Sequence, residues 1–182
     1  MPLFGRSRVT ERDAAEAFVR EIVETVVRHW PQIREKLEAA VGDEVFFLDD
    51  EAEDDLRELT IASVVCEAMA VDNLFSVAQA ARVRAHIRRA LANAFPESGA
   101  ADVNECAAKY DRLWRDASLQ GRAPWQLVAG ELTVRLGIDS GWVEVGDHAV
   151  LAPTLEMAWA SILMAPSGWW KTALQSYKLV ER

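Results

Sequence analysis

Three charged side chains stand where an apolar helix face has no use for them. Glu67 and Glu156 each interrupt an apolar helical run. Arg84 falls with Ala80, Ile87 and Leu91 on the apolar side of its helix at about 100° per residue, while Arg82 and Arg89 point away. A carboxylate buried without a partner costs several kcal/mol, so it is neutralised or matched to a cation. The same physics makes general acids and ligand-binding carboxylates. Aromatic residues crowd the same half of the chain: four of the seven Trp, at positions 142, 159, 169 and 170, lie in the last 41 residues with Met157, Met164 and Tyr177. Aromatic and Met enrichment is what interfaces and apolar ligand pockets use, and also what a core uses. The candidate ligand-binding set is therefore Glu67, Arg84, Glu156, Trp159, Trp169 and Trp170.

Other chemistry has less support. There is no G-x-S-x-G elbow, phosphate-binding G-x-x-x-x-G-K-[ST] loop, G-x-G-x-x-G or H-E-x-x-H, and none of His29, His86 and His148 has a Glu three residues before it. His148 shares an irregular stretch with Asp139, Ser140, Glu144 and Asp147, a cluster that reads as turn chemistry and a helix cap. The run Asp43–Asp55 is dense in carboxylates but lacks the alternating ligands and bend Gly of a calcium loop, so Asp49 or Asp50 is expected to cap the next helix. Cys66 and Cys106 lack the paired spacing of zinc or dithiol sites and read as reduced core residues. No catalytic residue, metal or cofactor is expected.

These residues must be positioned by helices. The stretch Leu56–Phe75 is apolar on nearly every side, so it has to be buried all round and should be central. Ahead of it, Thr10 with Asp13 opens a helix striped by Ala15, Phe18, Val19, Ile22, Val26, Trp30, Ile33 and Leu37, with a kink or restart expected at Pro31 and an end by Gly42. Ser76 with Gln79 starts a helix reaching Phe95; residues 101–120 carry Val103, Cys106, Ala107, Tyr110, Leu113, Trp114 and Ala117 on one face; Pro124 to Gly137 make the next. Residues 138–150 lose the helical period and read as an irregular loop with an extended piece at Val143–Val145. Pro153 opens a very apolar helix, and Pro166–Gly168 breaks it before a last helix from Trp169 to Leu179. The fold class is all-α, an irregular bundle of six or seven helices around a central helix at about 50–75, with residues 1–9 a flexible tail and 10–182 one domain.

With 29 acidic against 20 basic residues the chain carries a formal charge of −9, which opposes nucleic acid as a partner. The longest charge-free run, Met157–Trp170, is shorter than the ~20 residues of a spanning helix, so no membrane role is expected and the location is read as cytoplasmic. The use of 16 Arg against 4 Lys resembles that of a GC-rich bacterial genome. Two functional readings follow. The first is a non-catalytic protein–protein interaction module, pairing with another protein or with its own copy as a homodimer through about 153–170. The second is a small-molecule-binding helical protein or enzyme with a pocket near Glu67, Arg84 and the Trp-rich segment. Hairpin geometry about Phe75–Ser76 adds one local expectation: Glu67 and Arg84 stand level and form an ion pair.

Overall fold

The structure is a computed structural model that describes residues 7–41, 52–119, 121, 123–138, 142–145, 148–163 and 168–181. Strand β1 (Ser7–Thr10) leads into α1 (Glu11–Val41), whose start is fixed by Thr10 Oγ1 accepting the Asp13 N–H at 3.0 Å. The expected stripe from Ala15 to Leu37 faces inward along α4 (Val77–Ala94), and the helix runs through Pro31 without a restart. α2 (Ala52–Ala68) is the central element: its residues from Leu59 to Ala68 are all buried, against α1, α5 (Ala100–Leu119), α6 (Pro124–Arg135) and α7 (Pro153–Leu163). A helix with neighbours on every side cannot keep a polar stripe, which is why its sequence shows none.

The central helix is shorter than its apolar run. It closes at Ala68 through i→i+3 bonds, Met69 N–H to Cys66 O at 3.4 Å and Ala70 N–H to Glu67 O at 3.2 Å, and a separate turn of helix, α3 (Val71–Leu74), follows. Ser76 then caps α4, its Oγ accepting the Gln79 N–H at 3.4 Å. A short 3-10 turn (Pro96–Ser98) and Gly99, at φ +76°, lead into α5. Gly137 ends the region of α6 at φ +63°, a conformation that a side chain would strain.

Residues 142–145 and 148–151 pair as two strands, β2 (Trp142–Val145) antiparallel to β3 (His148–Leu151), with Trp142 opposite Leu151. This replaces the largely irregular loop expected there. After α7 comes α8 (Trp169–Ser176), and Tyr177–Val180 leave the helix to form β4, parallel to β1 in the register Ser7↔Tyr177 to Thr10↔Val180. Residues 7–9, expected in the tail, are thus half of a strand pair, and α8 stops at Ser176 rather than Leu179 because β4 begins. Its partner lies at the other end of the sequence, so no local spacing announces it. The class is all-α, with seven helices of eight residues or more among the described residues. None of them is long and apolar enough to cross a membrane.

One ion pair ties the two ends to the middle. Glu11, 1 % exposed, accepts two hydrogen bonds from Arg82, Nε to Oε2 and Nη2 to Oε1, both at 2.9 Å, and Arg82 Nη2 also lies 3.4 Å from Glu181. Arg82 therefore does not point away from the fold. The face of α4 that looks polar on a helical wheel meets the buried start of α1.

Candidate functional site

Glu67 sits on the last turn of α2, 5 % exposed. Its Oε1 accepts the backbone N–H groups of Gly168 at 3.0 Å and Trp169 at 3.3 Å, the first donors of α8. A carboxylate at a helix N-terminus meets the positive end of the dipole as well as free donors. Among the described residues no cation pairs with it. Burial raises the Glu67 carboxyl above its ordinary value, and the two N–H bonds oppose only part of that rise.

Beside this carboxylate opens a cleft of about 330 Å³. Its apolar walls include Trp114 of α5, Leu163 of α7 and Trp170 of α8; Cys66 and Met69 adjoin Glu67, while Asn73 and the exposed Lys171 lie at the rim. Trp170 is 1 % exposed and held by ring contacts with Phe18 (5.1 Å), Phe75 (5.9 Å) and Trp169 (4.9 Å between centroids). Among the described residues its buried indole Nε1 has no hydrogen-bond partner. Burial also pushes the Cys66 thiol up, so it contributes a soft wall rather than a nucleophile.

The expected Glu67–Arg84 pair does not form. Arg84 instead donates to Asp72 of α3, to Asp111 of α5 at 3.4 Å and to Met69 Sδ at 3.5 Å. The hairpin arithmetic assumed one helix up to Phe75; closing α2 at Ala68 and starting α3 at Val71 breaks that register and brings Asp72 to Arg84. Glu67 faces the start of α8.

The rest of the candidate set divides. Trp170 lines the cleft, and half-buried Trp169 donates its N–H to Glu67 and packs on Phe18 at 5.3 Å. Trp159 is fully buried in the core between α6 and α7, where Nε1 donates to Thr133 Oγ1 at 2.9 Å. Glu156, half-buried, accepts from the Gln126 side chain. Neither lines the cleft. In the stretch 153–170, Trp159 and Trp170 are fully buried and face inward, Trp169 is half-buried, and Met157 is 67 % exposed. The Asp43–Glu51 part of the acidic run, and Asp139, Ser140 and Asp147 around His148, lie outside the described residues.

Sequence reasoning missed Trp114 and Lys171 as members of the cleft; one reads as part of a stripe and the other as an ordinary surface residue. It also missed a second polar cluster. Glu58 of α2 accepts from Tyr110 O–H at 2.6 Å and from Cys106 S–H at 3.2 Å, beside a Lys109–Glu131 pair. Burial and the Glu58 charge push the Cys106 thiol up to about 12 and the Tyr110 phenol higher still, so both remain donors at neutral pH. This cluster locks α5 to α2 and offers no activated nucleophile. No group of three or more His, Cys, Asp or Glu among the described residues could hold a metal ion. Comparison of the chain with protein-family models, with curated proteins and with solved structures found no match.

Proposed function

We propose that the chain binds a small molecule in the cleft beside Glu67, with an apolar body between Trp114 and Trp170 and a protonated amine toward the carboxylate. The observation that carries this reading is Glu67 itself: a carboxylate 5 % exposed, without a cation among the described residues, next to a space of about 330 Å³. Ligand pockets start at about 300 Å³ and combine apolar walls with a few convergent polar groups. An ammonium ion would supply the counter-charge that Glu67 lacks and, against indole faces, would gain cation–π attraction. Exposed Lys171 at the rim suits a carboxylate on the outer end, so an apolar amino-acid-like zwitterion fits both ends of the cleft.

Native mass spectrometry of untreated protein, followed by calorimetric titration with aryl-alkyl amines and apolar amino acids, tests this. A ligand should bind at Glu67, and Glu67→Gln should weaken it by about tenfold or more, since a charged hydrogen bond is worth ~1.5–3 kcal/mol. Equal binding of the amine and of its neutral hydrocarbon analogue, or unchanged affinity in Glu67→Gln, would rule the assignment out.

A further inference from the structure

On the other flank of α3, three guanidiniums converge on two carboxylates. Arg84 bridges Asp72 and Asp111, and Asp111 also lies 3.7 Å from Arg88 Nη2 and 3.2 Å from Arg115 Nε. Arg84 and Asp111 are mostly buried, whereas the side chains of Arg88 and Arg115 are 52 % and 57 % exposed. One carboxylate is therefore shared by three cations, and the cluster holds one positive charge more than it holds negative ones. Among the described residues Arg88 has only the long contact to Asp111, beyond hydrogen-bonding distance, and the buried Arg84 Nε has no partner. A guanidinium carries five donors in a planar fork, so donors remain on both exposed arginines.

Alongside them runs an open groove of about 550 Å³ floored by Val77, Ala80, Ala81 and Ala85 of α4. Small side chains there let a ligand come close to the guanidiniums, and Val77, 90 % exposed, offers it an apolar contact. We propose that this groove binds a small phosphate monoester, with the phosphate bridging Arg88 and Arg115 and its organic part lying along the alanine floor. The three free oxygens of a phosphate monoester can meet both guanidinium forks, whereas a single carboxylate has only two oxygens to offer. A long polyanion is disfavoured by the net charge of −9, which repels it away from this patch. The groove and the Glu67 cleft are separate, since Asp72 lines one and Asn73 the other, and this site stands without the amine-binding reading.

The test is titration of isotope-labelled protein with phenyl phosphate, inorganic phosphate and sodium chloride at matched ionic strength, following the amide signals of Ala81 and Ala85. Phenyl phosphate should give saturable shifts and bind more tightly than inorganic phosphate. Arg88→Gln with Arg115→Gln should weaken it by about tenfold or more while leaving the ligand-free melting temperature nearly unchanged, as both side chains are half-exposed. Should that double variant fail to fold, Arg88→Lys and Arg115→Lys carry the test; each keeps the charge but loses the fork and should weaken binding several-fold. Shifts reproduced by chloride, inorganic phosphate binding as tightly as the ester, or full affinity in the variants would overturn the proposal.

Discussion

Two carboxylates in this molecule are almost equally buried and have opposite surroundings. Glu11, at the start of α1, receives both arms of the Arg82 guanidinium. Glu67, at the end of α2, receives two peptide N–H groups and no cation among the described residues. The hydrogen bond from Arg82 holds the Glu11 carboxyl below its ordinary value against the effect of burial, whereas burial holds Glu67 above it. Two indoles repeat the contrast: Trp159 donates to Thr133, and Trp170 beside Glu67 has no acceptor among the described residues. Burial alone therefore does not distinguish a strut from a site. What distinguishes them is whether the fold itself supplies a counter-charge, as it does for Glu11 and, among the described residues, does not for Glu67 beside the cleft.

The strongest way to break the comparison is to strand Glu11. Arg82→Met should lower the urea midpoint at pH 7, because it leaves the buried Glu11 carboxylate without the guanidinium that holds it. Adding Glu11→Gln should recover part of that loss. Lys171→Met at the cleft rim should change stability by no more than about 0.5 kcal/mol. Equal costs for the two single variants would erase the distinction.

A smaller effect is expected from making Trp159 like Trp170. Thr133→Val keeps the shape but removes the acceptor for the indole N–H, and should cost about 1–2 kcal/mol by thermal unfolding. A cost near zero would mean that an unpartnered indole marks nothing.

The smallest effect is one of slope, and the two carboxylates should give opposite signs. Glu11 has its pKa lowered by folding, so its contribution is present above the unfolded value of about 4.3 and disappears as pH falls through the lower folded value. Glu67 has its pKa raised, so its protonated form favours the fold below about 4.3 and that advantage is lost as pH rises through the folded value. Relative to the parent, Glu67→Gln should gain stability as pH rises above 4.3, while Glu11→Gln should lose stability as pH rises toward 4.3. Denaturant midpoints across pH 3–8 read both signs, and parallel curves would refute them.

Local grammar carried the element boundaries well where a cap or breaker was present: Ser76, Pro124, Gly137 and Pro153 each stand where the structure turns a helix on or off. The break after Ala68 has no such mark. The run VCEAMAVDNLF contains neither Gly nor Pro and its apolar pattern continues across the turn, so the spacing of Glu67 and Arg84 misled. Glu67 itself was legible, because a carboxylate in an all-round apolar helix is anomalous in any register. Glu11 and Arg82 were not, since each looks like an ordinary exposed helix residue until α1 and α4 are laid together. Trp114 was hidden for a related reason: its place on an amphipathic stripe says which way it faces but not what stands opposite.

The pairing of β1 with β4 gives the fold a mechanical character. The two strands run parallel, with Ser7 opposite Tyr177 and Thr10 opposite Val180. A pull applied to the chain before Ser7 and after Val180 draws them past each other along their length. The evenly spaced bonds of a parallel ladder then carry the load together rather than opening one by one. Under tension this small strand pair is the latch that must slide before α1 and α8 can be peeled from the bundle.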